Sequence, residues 1–429
     1  MSMMKSLYTA ATGLGAHSDA MGVVGHNIAN VNTLGHKASR ARFEEMVTNA
    51  VGLRRVAGQG SRLAGIDSLF TQGALLSTGV PTDLAIQGPG FFVLDGTVSG
   101  VTGSFYTRVG QFQIDADGKL TSPDGLNVQG YTADATGTIT AQVGDVQLPT
   151  SVPPAATQNV EISASLDAQA AVLPALPAFD PNDDATYNFA TSTTVYDSLG
   201  VAHDVAVQFR KTSSTTWEWH ASAVSSELTS PGAGQLTEQA SGTLGFDTDG
   251  KLDSESTITS SFDFLNATLG QVVNFDFGDA ITTDGGTGVA GSTAYGDGSS
   301  VNALTQDGYG SGAIAGFSVQ QDGLVLAAFT NGQTRTVAQL AVANFRSEPG
   351  LVGMGGSLYA PSEASGEPLI GAAGTGGRGA INAGALESSN VDLSREFVNL
   401  IAFQRGFQAN ARTVTTADEM MSELVNLKR

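Results

Sequence analysis

Residues 389–427 read SNVDLSREFVNLIAFQRGFQANARTVTTADEMMSELVNL. Within them Leu393, Phe397, Leu400, Gln404, Phe407, Ala411, Val414, Asp418, Met421 and Val425 recur at alternating spacings of four and three, and eight of the ten are apolar. A 3.5-residue repeat of that length is the seam of a coiled coil or helix bundle. A helix over 391–427 would be roughly 55 Å long, and a rod with one apolar stripe needs a partner. Ser389 and Asp392 fit a capping box that opens it.

The opposite end carries the same signal. Met3, Leu7, Ala10, Leu14, His17, Met21, Val24 and Ile28 follow the same spacing, apolar at seven of eight places. Gly13, Gly15, Gly22 and Gly25 each cost a helix about 1 kcal/mol relative to Ala, so this helix is expected to need docking to be ordered. Two readings stand: amphipathic helices packing on the body of their own chain, or helices whose seams take helical neighbours from other chains.

Between these ends the composition changes. The 429 residues carry a net charge of −21 and contain no cysteine. Residues 1–90 sum to +2 and residues 390–429 to 0, so 91–389 carries −23, from 31 acidic and 8 basic residues. Acidity on that scale excludes a large nucleic-acid footprint, which needs a basic stripe. The absence of cysteine excludes disulfides, thiolate zinc sites and cysteine nucleophiles. No 18-residue apolar run occurs, so no transmembrane helix is expected. No signal-peptide apolar stretch is visible near the start, and any exit from the cytoplasm is expected to use a route without a cleaved leader.

The middle reads as β. Asn331-Gly332 between Leu324–Thr330 and Gln333–Val342 has the form of a type I′ hairpin. Val205, Val207 and Phe209 alternate, as do Trp217 and Trp219, and Val273, Phe275 and Phe277. Asp115-Ala-Asp117-Gly118 and Asp247-Thr-Asp249-Gly250 read as turns. Six of the 13 prolines fall between Pro149 and Pro181, and nine glycines between Gly285 and Gly312; both stretches read as linkers. The expected architecture is mainly β with paired long terminal helices and nested domains. It comprises an N-terminal helix (1–30), a linker region (31–75), a β domain in two parts (76–148 and 313–389), an inserted outer β domain (149–312) and a C-terminal helix (390–429).

No catalytic constellation stands out. The five histidines are scattered, without an H-E-x-x-H pair, and neither a G-x-S-x-G elbow nor a phosphate-binding P-loop occurs. Gly374-Thr-Gly376-Gly-Arg-Gly379 matches G-x-G-x-x-G, but no helix signature follows it, so a flexible loop is the expectation. From Asp247 an EF-hand would need Glu at position 12 and finds Ile258. No catalytic, cofactor-binding or metal-ligating residue is therefore assigned, and the chain is not expected to be an enzyme.

Two motifs give more. Asn27-Ile-Ala-Asn30-Val-Asn32-Thr-Leu-Gly35-His-Lys37 resembles the N-terminal signature of the axial proteins of the bacterial flagellum. Gly384 to Val398, with Asn390 and Asp392, and Gln404-Arg405-Gly-Phe-Gln-Ala-Asn410 resemble the matching C-terminal signature. His36 stands where that pattern usually has tyrosine. Leu84–Val93, Tyr106–Phe112 and Gly125–Tyr131 look like the β domain shared by rod and hook subunits, and Thr194–Asp204 resembles the start of an outer domain of the flagellar hook family.

The resemblance implies a structural subunit polymerising into a short curved tube, a universal joint carrying motor torque from rod to filament. It implies assembly through Leu7, Leu14, Met21, Val24 and Ile28 on one helix and Leu393, Phe397, Leu400, Phe407, Val414 and Met421 on the other. The implied partners are further copies of the chain, a distal rod subunit, a hook cap or scaffolding protein, a hook–filament junction protein and the flagellar type III export apparatus. No cofactor, nucleic acid or membrane insertion is implied. The implied location is the hook and basal body of the flagellum, outside the cell after export. A distal rod-type subunit is the alternative in the same class, and a secreted β-rich carbohydrate-acting enzyme the alternative from another.

Overall fold

Both segments with the seam spacing are helical: α1 spans Ser2–Ala29 and α2 spans Leu393–Asn426. The computed structural model describes residues 2–47, 58–134, 136–229 and 235–426, and the seam positions Met3 and Val425 lie outside the described side chains. Asp392, not Ser389, caps α2. Its Oδ1 accepts from the N–H groups of Ser394 (2.8 Å) and Arg395 (3.2 Å), the second and third residues of the helix. The expected capping box fails because Asp392 stands one residue outside the helix rather than inside its first turn.

The chain divides into two units. The first comprises Met1–Thr150, Ala315–Ala328 and Thr334–Arg429, the second Ser151–Ile314 with Phe329–Gln333. In the first unit Thr334–Asn344 is a hub strand. It pairs with Leu324–Phe329, Asn127–Ala133, Phe91–Val98 and Leu369–Ala372, all antiparallel. Phe91–Val98 pairs in turn with Val101–Thr107. Phe91, Tyr106, Phe345 and Tyr359 form its aromatic core, with edge-to-face ring centroids 4.8–5.9 Å apart.

Residues 31–75 are more than a linker. Ser39–Val47 and Gly58–Ser68 form an antiparallel hairpin in which Arg40 faces Asp67 and Arg42 faces Gly65. Its charged residues hid it, since they occupy the outward positions of a two-stranded ribbon rather than a solvated connection. Short ladders join the halves of the unit. Leu75–Ser77 pairs with Ala385–Glu387, and Leu84–Gln87 with Ala380–Ala383.

In the second unit a five-stranded antiparallel meander runs from Phe189–Tyr196 to Leu252–Ser260. The second sheet is built around Asn159–Asp167, with parallel partners Asn274–Asp276 and Thr293–Tyr295 and the antiparallel partner Ser300–Gln306. Asn159–Asp167, Thr293–Tyr295 and Ser300–Gln306 lie in the two stretches expected as linkers. Their prolines and glycines flank short strands instead of replacing them, and Val160, Ile162, Ala164 and Leu166 are fully buried. The alternating sets Val205/Val207/Phe209, Trp217/Trp219 and Val273/Phe275/Phe277 all point into one core shared by both sheets.

Turn chemistry explains the connections. Asp115 and Asp247 each accept on Oδ1 from backbone N–H groups two and four residues on, and Gly118 and Gly250 close the turns at φ of 79° and 77°. The Asn331-Gly332 hairpin forms, but not as type I′, which needs two left-handed residues. Gly332 alone is left-handed and donates to Phe329 O at 3.0 Å. Asn331 instead uses its side chain, donating to Gly310 O at 2.8 Å. The G-x-G-x-x-G stretch is a closed turn in which Gly374 N–H donates to Gly379 O at 3.0 Å.

One carboxyl of the second unit is out of balance. Glu255 accepts from Phe277 N–H at 3.0 Å, but burial first, then Asp276 and Asp284, push it from 4.5 up to about 7. A carboxyl raised on folding stabilises only while neutral, so its contribution is lost as pH rises from about 4.5 through 7. Glu255→Gln should raise stability at pH 8 by about 1 kcal/mol, after discounting for solvent screening, and leave it unchanged near pH 4. Denaturation followed by the fluorescence of Trp217 and Trp219 at several pH values measures this difference.

Candidate assembly surface

The surface starts where the two helices meet. α1 buries Ala10, Gly13, Ala16, Ala20, Val23, Val24 and Asn27, a stripe of mostly small side chains. Small residues let the backbones approach. A Cβ on Gly13 would stand 2.8 Å from the Asn410 amide, and one on Gly406 would stand 2.7 Å from the His17 ring. Asn410 donates to Gly406 O at 3.0 Å, which holds it under Gly13. The His17 ring lies 5.8 Å from Phe43 and 6.1 Å from Phe403, joining α1, the hairpin and α2.

The residues implied for assembly divide into two groups. On α1, Val24 is buried while Leu7, Leu14, Met21 and Ile28 are half-buried beside the small-residue stripe. On α2, Leu400, Phe407 and Val414 are half-buried, whereas Leu393, Phe397 and Met421 are exposed. The face that α2 turns inward includes Asn399, Phe403, Gly406, Asn410 and Ala417 instead. Outward, Leu393, Phe397, Val398 and Ile401 form one apolar stripe, exposed by 40%, 51%, 66% and 50%. Apolar side chains grouped in this way mark an interaction surface.

The signature residues build the joint beneath the helices. Asn27 clamps Ser39, accepting from its N–H at 2.8 Å and donating to its carbonyl at 2.7 Å. Asn390 accepts from Ala38 N–H (2.7 Å) and donates to the carbonyls of Leu69 (2.8 Å) and Thr71 (3.0 Å). Asn30 donates to His26 O at 2.9 Å and finishes α1. Gly35 must be glycine: its φ is 63°, and a Cβ would stand 2.8 Å from Val109. Asn32, Gln404 and Arg405 are exposed and take no part in this joint.

A buried ion cluster closes it. Lys37 Nζ donates to Glu387 Oε1 at 2.7 Å and to Thr71 O at 2.9 Å. Glu387 also accepts from Gly73 N–H at 2.8 Å, and Arg108 Nη1 lies 3.6 Å from its other oxygen. Both carboxylate and amine side chains are fully buried. Burial pulls the Lys37 amine below its ordinary value, opposed by the Glu387 carboxylate, and pulls Arg108 down as well. No spacing could have paired these residues, because Lys37 and Glu387 are 350 positions apart. Nearby, burial and the neighbouring His26 lower the pKa of His36.

The arrangement fixes two long helices and leaves the stripe of Leu393, Phe397, Val398 and Ile401 uncovered. Among the described residues no helix is long and apolar enough to cross a membrane. Four family models match in chain order. They are a flagella basal body rod protein model at residues 7–37, a flagellar hook protein FlgE/F/G D1 domain at 85–165, a flagellar basal body protein FlaE D2 domain at 165–309, and a flagellar basal body rod FlgEFG protein C-terminal model at 382–427. The flagellar hook protein FlgE of Borreliella burgdorferi is 34% identical over 99% of this chain and all of its own length. That of Salmonella typhimurium is 34% identical with the same coverage, and that of Rhizobium meliloti 31% identical over the whole of both chains. The crystal structure of Helicobacter pylori flagellar hook protein FlgE2 covers 73% of this chain at a TM-score of 0.52 and 17% identity, a likeness of fold. With hook proteins matching it from end to end at about a third identity, the chain belongs to the flagellar hook protein FlgE family.

Proposed function

We propose that the chain is a hook subunit whose copies polymerise into a curved tube through the outward face of α2 and the flanking residues of α1. The observation that carries this reading is the exposed stripe Leu393, Phe397, Val398 and Ile401 on a helix of 34 residues. Its packing on α1 leaves this stripe in water, and further copies of the same helices would cover it. The neutral ends suit close packing of many copies, since like charges there would repel. The acidic residues of 91–389 suit an outer surface where charge stays solvated. Contacts to a distal rod subunit, a cap protein and a junction protein belong to the same reading, as does passage through a type III export apparatus.

Deleting residues 393–429 tests it. The truncated chain should stay monomeric where the full chain forms sedimenting polymers, and cells carrying it should lose motility. Tubes of truncated chain in electron micrographs would refute the proposal.

A further inference from the structure

We propose that His26 and His36 together form a binding site for a divalent transition ion of the zinc, nickel or copper class. Imidazole is the side chain such ions favour. The two ring centroids lie 5.5 Å apart with their planes at 69°. Two imidazoles on one ion, at Zn–N of about 2.0–2.1 Å and a tetrahedral angle, place their centres on the order of 5–6 Å apart. The present spacing lies in that range.

Two further observations point the same way. His36 Nε2 is buried and has no hydrogen-bond partner. A buried nitrogen left unpaired costs a fold about 1–3 kcal/mol, and an ion is one of the groups that accounts for it. Both histidines also line one cavity of about 290 Å³, together with Asn30, Ser39, Ser68 and Tyr359. The long contact of 3.4 Å from Asn30 Nδ2 to His26 Nδ1 is too weak to hold that exposed ring in one tautomer. Lys37 borders the cavity, but its charge is directed to Glu387 at 2.7 Å.

Among the described residues no cluster of three or more His, Cys, Asp or Glu side chains suits a metal, so water would fill the other positions of the ion. The ion would tie the last turn of α1 to the loop that follows Gly35. This inference holds whether or not the chain polymerises.

Isothermal titration of the full chain with zinc chloride and with nickel chloride tests it. The expected result is uptake of one ion per chain. Affinity should fall at least roughly tenfold in both His36→Tyr and His26→Gln. Tyrosine is the residue that the axial signature usually carries at this place, and His26 is exposed, so neither metal-free variant should melt below the parent. No uptake up to about 1 mM of either ion overturns the proposal. So does affinity left unchanged in either variant, which would place the ion on other side chains.

Discussion

Replacing Glu387 with alanine is expected to destabilise the first unit by about 3–5 kcal/mol, the usual consequence of removing one partner from a buried ion pair. The substitution leaves the Lys37 amine, fully buried at 2.7 Å from the lost oxygen, with only the Thr71 carbonyl. It also strips Gly73 N–H of its acceptor and Arg108 of its ion-pair partner, leaving Glu348 as the remaining carboxylate that acts on it. Both tryptophans, Trp217 and Trp219, lie in the core of the second unit. Tryptophan fluorescence should therefore keep its unfolding midpoint while the transition followed by tyrosine absorbance and circular dichroism moves to lower denaturant. The double variant Lys37→Met/Glu387→Leu should recover part of the loss, because an apolar pair of similar volume avoids the desolvation cost. A single-variant loss below about 1 kcal/mol would mean that water reaches the cluster.

The second large effect concerns assembly rather than folding. Phe397 is 51% exposed, so Phe397→Asp should change monomer stability by no more than about 0.5 kcal/mol. In a polymer the same position would be covered. Losing one buried aromatic removes about 1.5–3 kcal/mol per contact, and a buried unpaired carboxylate adds to that. At about 1.4 kcal/mol per factor of ten, the critical concentration should rise at least roughly a hundredfold. Ile401→Asp should behave alike. Leu400→Asp and Phe407→Asp should differ, since these half-buried residues also serve the packing of the single chain. Those two should lower the melting temperature as well as block polymerisation. Sedimentation and calorimetry on the same samples separate the two classes, and unaltered polymerisation of Phe397→Asp would remove the stripe from the interface.

What the sequence made legible follows from periodicity. The helices appear within one to three residues of their expected limits, because a 3.5-residue repeat over eight to ten positions has no other good explanation. The strands with alternating Val, Phe and Trp are equally plain. The inner face of the helices was not readable. The seam pattern selects large apolar residues, whereas α1 buries the small Ala10, Gly13, Ala16 and Ala20, and its close approaches to α2 lie at Gly13 and Gly406, which carry little hydropathy. An apolar residue left exposed, such as Phe397, looks the same in sequence as one kept for the core. The hairpin at 39–68 escaped because Arg40, Arg42, Glu44 and Glu45 mask its alternation. Lys37, Arg108 and Glu387 escaped for another reason: three-dimensional pairing across hundreds of residues leaves no local trace.

The bond from Lys37 to Glu387 also sets an order of events in time. Closing a loop of 350 residues carries an entropic cost that grows as (3/2)RT ln n, about 5 kcal/mol at this length. The second unit, nearly continuous from Ser151 to Ile314, faces no comparable wait and needs only the five residues Phe329–Gln333 from further on. A chain emerging amino end first would thus complete its middle while α1 had only the 39–68 hairpin beside it. Only when Glu387 and Asn390 arrived would the joint lock and α2 come to lie along α1. In that order α2, which carries the exposed stripe, is the last long element to be delivered.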